Sequence, residues 1–243
     1  MNSSKAKNPA VLITGGSQRI GRAIALQLAA CGYDIALHYN RSFKPAAATA
    51  REIQPYGVNC ATFACDLNKA AEVKELIPRI LKKFPSLSVL INNASIFERS
   101  TLKNGTLNDL ERHWAINFRA PYILTQEFAR QSRTGNIINI LDTNVQQNKV
   151  THTPYLLSKK ALQDLTELAA IELAPQIRVN AIAPGLILPP KDKKNDYLQR
   201  LAKAIPLKRQ GNPRNISQTV QFILENDYLT GQTIFVDGGE HLT

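Results

Sequence analysis

Apolar residues along this chain fall into short runs separated by longer, periodic stretches. Seven runs read as strands: 10–14 (AVLIT), 34–39 (DIALHY), 60–66 (CATFACD), 88–93 (SVLINN), 136–141 (NIINIL), 177–183 (IRVNAIA) and 232–237 (QTIFVD). Most are continuously apolar and not alternating, the pattern of parallel strands covered on both faces. Between them lie helical patterns. Ile20, Ile24 and Leu28 recur every four residues, and Leu157, Ala161, Leu165 and Leu168 line one face of a later helix. No repeat, low-complexity stretch or linker interrupts the alternation. The pattern predicts an α/β fold over residues 1–243: a single doubly wound, mostly parallel sheet of seven strands with helices on both faces, Rossmann-type. A ligand then sits beyond the carboxyl ends of the strands.

The first such end carries Thr14-Gly-Gly-Ser-Gln-Arg-Ile-Gly21. Gly15 and Gly16 allow a tight turn, Gly21 permits close helix packing, and the free amides of the following helix face a pyrophosphate. The same residues also suit a simple strand-to-helix turn. Arg19 stands where a glycine brings a nucleotide closest. The second strand ends in His38-Tyr-Asn-Arg-Ser42, without the acidic residue that holds a ribose diol. Asn40, Arg41 and Ser42 offer donors to a 2′-phosphate instead, so the expected cofactor is NADPH. Farther on, Tyr155 and Lys159 share a helix face, and an adjacent ammonium lowers a tyrosine pKa toward working pH. Asp142 ends the buried fifth run at the edge where the site belongs; it either joins that chemistry or caps the loop that follows.

Composition narrows the picture. The 243 residues, 44 % hydrophobic, suffice for one large core. Cys31, Cys60 and Cys65 lack a CxxC spacing, and His38, His113, His152 and His241 are scattered, so no metal is expected. The polar start MNSSKAKNPA has no apolar signal region, and no run reaches the roughly 18 apolar residues of a membrane span, which leads to the expectation of a cytoplasmic protein. The net charge of +11 is spread along the chain without the aromatic interleaving of a nucleic-acid surface. Its densest part, Lys191 to Arg209, reads as a solvated helix face or as an attractor for an anionic substrate tail.

Taken in order, TG-x-x-x-R-x-G, Asn92-Asn93-Ala94, Tyr155-x-x-x-Lys159 and Pro184-Gly185 resemble the short-chain dehydrogenase/reductases over essentially the full chain. The resemblance implies that Tyr155 protonates the substrate, that Lys159 holds the nicotinamide ribose, and that Asn117 completes a proton relay. It also implies that Asp66 contacts adenine and that Ile20, Tyr39, Leu67, Asn93, Ala94, Pro184 and Gly185 complete the cofactor shell with Gly15 and Gly21. Four departures refine it: Arg19 in the turn, Ser95 where a glycine is usual, Phe97 two residues on, and Asp142 in place of a serine. With HYxRS and the closing Gly238-Gly-Glu-His-Leu242, they are similar to pteridine reductases and bacterial dihydromonapterin reductases.

In that subgroup Arg19 and Ser95 contact pterin and cofactor phosphates, Phe97 stacks the pterin against the nicotinamide, and Asp142 works with Tyr155. A flat, polar heterocycle suits an aromatic face and a guanidinium on physical grounds as well. The resemblance further implies a mobile substrate loop near 186–210, where the basic stretch falls, and a homotetramer built partly from the helices carrying Trp114 and Tyr155. The expected function is NADPH-dependent reduction of a dihydropterin, such as dihydrobiopterin or dihydromonapterin, or of dihydrofolate, to the tetrahydro form. Two alternatives remain: a carbonyl reductase of 3-oxoacyl thioesters or small ketones, which predicts serine at 142, and a non-catalytic NADPH-binding protein.

Overall fold

The structure is a computed structural model that describes residues 8–189 and 195–243. All seven expected strands are present: β1 (Ala10–Ile13), β2 (Asp34–Tyr39), β3 (Cys60–Ala64), β4 (Leu87–Asn92), β5 (Gly135–Ile140), β6 (Ile177–Pro184) and β7 (Thr233–Val236). They form one sheet in the order β3-β2-β1-β4-β5-β6-β7, and every pairing is parallel. Parallel neighbours need crossovers, and helices supply them: α1 (Arg19–Ala30), α2 (Phe43–Ile53), α3 (Ala70–Lys74), α4 (Leu76–Leu81), α5 (Leu107–Trp114), α6 (Ala120–Gln131), α7 (Thr153–Leu173), α8 (Asn195–Ala202) and α9 (Pro213–Glu225).

The continuous apolar runs follow from burial on both faces. In β1, Leu12 joins a layer with Leu76, Ile77, Ile80, Leu124, Phe128 and Ala169. Its neighbours Val11 and Ile13 point the other way, into a layer with Ile24, Leu28, Ile216, Val220 and Ile223. The Ile24–Leu28 repeat therefore does face the core.

The stripe read in α7 does so only in part: Leu165 packs against the core. Leu157 is half exposed and Leu168 is 64 % exposed, whereas Tyr155, Ser158, Lys159, Leu162, Thr166 and Ala169 are buried. The helix is apolar on two sides, and the sheet takes the side where Thr166 donates to the Leu162 carbonyl and Lys159 reaches the end of β5. Among the described residues, no helix is long and apolar enough to cross a membrane.

The chain order reverses at β1, which lies between β2 and β4. A crevice opens there at the carboxyl edge. The corrected face of α7 has a measurable consequence. Leu162→Ala, at a fully packed position, is expected to lower unfolding stability in urea by about 2–5 kcal/mol.

Candidate active site

The glycine turn leaves β1 at Thr14. Gly15 has φ +62, a conformation that glycine adopts freely. A Cβ on Gly21 would collide with the Gly15 carbonyl oxygen, so turn and helix are in contact. Asn93, at the end of β4, donates from Nδ2 to the Thr14 and Gly15 carbonyls at 2.8 and 3.2 Å. Its carboxamide thus builds the turn. Ala94 donates its amide to the Thr14 hydroxyl at 3.0 Å.

Arg19 opens α1 with φ +54, a left-handed conformation costly for a side chain with a Cβ. Its guanidinium reaches across to the segment after β6. Nη2 donates to the Pro189 carbonyl at 2.8 Å and to the Leu188 carbonyl at 3.4 Å, in the segment after β6. Residues 188 and 189 lie beyond the end of β6, where no sheet neighbour among the described residues takes their carbonyls, and the exposed arginine does.

The residues expected on the adenosine side gather at the ends of β2 and β3. Asn40 and Arg41 are exposed, Tyr39 and Ser42 half-buried, and Ser42 precedes α2 without a side-chain cap. Asp66 approaches Asn40 Nδ2 at 3.5 Å. Burial opposes its charge, yet hydrogen bonds from Asn68 and the nearby cations Lys69 and Arg41 hold its carboxyl below the usual range. Leu67 is packed into the core beside Leu76 and Val73, so its side chain faces inward. Ile20 likewise packs against the opposite core layer.

The other half lies at the ends of β4 and β5. Tyr155 Oη donates to Asp142 Oδ2 at 2.7 Å. Asp142 Oδ1 accepts the Asn144 amide at 2.8 Å, so the aspartate both caps the following turn and meets the tyrosine. Lys159, buried, donates to the Ile140 carbonyl at 2.7 Å, with Nζ 5.9 Å from the Tyr155 ring centroid.

The expected lowering of the tyrosine pKa is overturned. Burial, then the Asp142 charge and hydrogen bond, raise it well above the ordinary phenol value. Burial also lowers the Lys159 ammonium to about 8, against the opposing pull of Asp142. Desolvation outweighs proximity because both groups are buried.

Asn117 sits in a π-helical turn, Ala115–Arg119, and its carboxamide is fully engaged away from Tyr155. Oδ1 accepts from the Ile96 amide at 3.0 Å and from Ser95 Oγ at 3.1 Å. Nδ2 donates to the Ile96 carbonyl and to Ser158 Oγ, each at 3.1 Å. Asn117 therefore fastens the loop carrying Ser95 and Phe97 to α7.

Phe97, 47 % exposed, stacks on His152 at 4.1 Å and 12° and meets Tyr155 edge-on at 4.7 Å. Pro184 ends β6, and Gly185 follows beside Asp237, whose Cβ lies 2.5 Å from where a Gly185 Cβ would be. Sequence reasoning missed His152 and the Thr143–Asp237 hydrogen bond of 2.6 Å, since neither pair is close in sequence. It also passed over His38, although a polar residue in the buried run DIALHY was a visible signal.

Of the basic stretch, Lys191–Lys194 lie outside the described residues; Arg200, Lys203, Lys208 and Arg209 are exposed. No cluster of metal-ligating side chains occurs among the described residues.

The model of the family described as enoyl-(acyl carrier protein) reductase matches residues 15–241. The chain is 36 % identical to the 3-oxoacyl-[acyl-carrier-protein] reductase FabG of Staphylococcus epidermidis, over 97 % of this chain and 100 % of that one. It also resembles a mutant short-chain dehydrogenase/reductase from Serratia marcescens at 29 % identity and a TM-score of 0.91, over 96 % of this chain and 98 % of that one. The chain belongs to the short-chain dehydrogenase/reductases.

Another member of this family is structurally similar: FolM alternative dihydrofolate reductase 1 from Brucella canis, complexed with NADP. It has a TM-score of 0.93 and 35 % identity, over 97 % of this chain and 95 % of that one. This reductase fold uses a nicotinamide cofactor, and the residues present fit one. The first-turn amides of α1 lack partners within the helix, and the end of β2 offers Asn40, Arg41 and Ser42 without an acid.

The lysine shift predicts a pH effect. With a folded value of about 8, below its unfolded value, Lys159 opposes folding most strongly below pH 8, and that penalty is relieved as pH rises from about 8 to about 10. The buried thiols Cys60 and Cys65, pushed up to about 12 and about 11, act in the opposite sense over this range. Subtracting the Lys159→Met variant cancels them. In paired thermal melts the wild type should gain relative to Lys159→Met by up to about 1.4 kcal/mol per pH unit.

Proposed function

We propose that this protein is an NADPH-dependent reductase of pteridines, converting a dihydropterin or dihydrofolate to its tetrahydro form. The observation that carries this reading is the hydrogen bond between Tyr155 and Asp142. In ketone reduction, negative charge develops on the substrate oxygen, and a carboxylate beside the proton donor opposes it. In reduction of a pterin C=N bond the acceptor is a ring nitrogen, far more basic than a carbonyl oxygen, and the heterocycle presents N–H groups that a carboxylate attracts. A phenol held strongly protonated suits the basic nitrogen.

NADPH, when bound, supplies the hydride to the carbon of that bond. This chain supplies the proton and the positioning. The Tyr155 hydroxyl, or a water ordered by Asp142, protonates the nitrogen, so that C=N becomes CH–NH. Lys159, beneath the Tyr155 ring, offsets the charge left on the phenol. Phe97 has one face covered by His152 and offers the other to a flat heterocycle. Ser95 and Asn117 hold its loop. Arg41, Asn40 and Ser42 receive the 2′-phosphate, and the α1 amides from Arg19 to Gly21 receive the pyrophosphate. The similarity to an alternative dihydrofolate reductase complexed with NADP supports this assignment.

A second reading, reduction of a 3-oxoacyl thioester, is favoured by the identity to the FabG reductases. It leaves Asp142 and Phe97 without a role. Following NADPH absorbance with dihydrobiopterin, dihydromonapterin, dihydrofolate and an acetoacetyl thioester separates the two. Turnover of at least one pterin or folate is expected; turnover of the thioester alone overturns the pteridine reading.

Tyr155→Phe should lower kcat by about 10²–10⁴ while leaving the NADPH Kd, measured by fluorescence titration, essentially unchanged. Arg41→Ala should weaken NADPH by about 1.5–3 kcal/mol and NADH far less. Equal losses for both cofactors would remove Arg41 from the 2′-phosphate.

A further inference from the structure

Both amides of the glycine turn end on a single residue. The Gly16 N–H donates to the His38 carbonyl at 3.1 Å, and the Gly15 N–H donates to His38 Nδ1 at 3.0 Å. The other ring nitrogen, Nε2, lies 3.0 Å from the Cys65 carbonyl oxygen. An amide N–H only donates and a carbonyl oxygen only accepts. The two partners therefore demand the same form of the ring, neutral, with its hydrogen on Nε2. The surroundings agree: His38 is 2 % exposed, and burial lowers its pKa to about 4, with the Cys65 hydrogen bond opposing and the charge of Arg79 assisting. The Cys65 amide closes the circuit by donating to the Tyr39 carbonyl at 3.1 Å.

One imidazole thus joins the carboxyl ends of β1, β2 and β3. Those ends carry the glycine turn, the Asn40-Arg41-Ser42 donors and Asp66 respectively. Other bonds order each segment locally, Asn93 at the glycine turn and Asn68 at Asp66; the imidazole fixes the spacing between segments before binding, which lowers the entropic cost to affinity. The Gly15 amide, held by Nδ1, is also withdrawn from phosphate binding.

We propose that His38 is a positioning residue for the cofactor, a neutral clamp that sets the glycine turn against the 2′-phosphate and adenine sites before NADPH arrives. This rests on NADPH as the cofactor and is independent of which substrate is reduced.

The test compares His38→Leu, which removes both ring hydrogen bonds at similar volume, with His38→Asn, whose Oδ1 replaces Nδ1 as the acceptor for Gly15. NADPH Kd is measured by fluorescence titration, with circular dichroism and thermal melts as the check on folding. His38→Leu is expected to raise the NADPH Kd at least about tenfold with kcat at saturating cofactor and substrate unchanged, and His38→Asn, which restores the Gly15 bond and not the Cys65 one, to recover part of that loss. Where His38→Leu does not fold, His38→Gln, which keeps a donor for Cys65 and lacks the acceptor for Gly15, takes its place. A folded His38→Leu or His38→Gln that binds NADPH as the wild type does overturns the proposal. So does a His38→Asn as weak as His38→Leu, or a fall in kcat with Kd unchanged. A wild type that binds no NADPH overturns the cofactor assignment instead.

Discussion

Parallel pairing is the constraint from which the rest follows. Because all seven strands run the same way, their carboxyl ends open on one edge, and both faces must be covered by the returning helices. Both faces are largely apolar, and the polar groups they hold, such as the Asn92–Asn139–Thr166 chain, are paired with one another; the charged chemistry collects at the edge, where strands give way to loops. The reversal of order at β1 then splits the loops to opposite sides and leaves a crevice. Thr14, Asn93 and Asp142 sit at that edge because the strands before them end there, and the hydrogen bonds from Asn93 and Ala94 to the β1 turn tie its two banks together.

Inside that crevice, burial governs protonation. Tyr155 and Lys159 are both driven toward their neutral forms, the first upward and the second to about 8. The carboxylate of Asp142 sits against the phenol and accepts its hydrogen. In the cofactor-free site the proton therefore stays on the tyrosine. This balance differs from that of a hydroxyl-bearing serine, which neither repels a developing charge nor attracts N–H groups. Under the proposed function, Asp142 is the side chain that favours a nitrogen over an oxygen acceptor, while the fold around it is shared with other short-chain reductases.

Much of this was legible in the chain. The seven apolar runs appear as the seven strands, and the absence of alternation foretold burial on both faces. Asp142 was legible because it ends a buried strand, and Tyr155 and Lys159 because four residues separate them on a helix. Other expectations failed where sequence spacing is silent about surroundings. The Leu157–Leu168 stripe has helical periodicity, but α7 is apolar on two sides, and periodicity does not say which side the sheet takes. Asn117 lies at the expected place, and spacing did not show that its carboxamide also holds the Phe97 loop.

The sequence by itself determined the layering, the strand ends and the set of side chains that can meet there, because apolar periodicity and helical spacing are local properties. Tertiary structure alone decided the direction of the tyrosine shift, the engagement of Arg19 with the carbonyls after β6 and the clamp made by His38. Each depends on desolvation and on partners distant in the chain: 13 residues for Tyr155 and Asp142, 170 for Arg19 and Pro189, 23 for Gly15 and His38. Proximity in sequence put a lysine near the tyrosine, but only the packed interior fixed how much water remained around them, and that set the sign.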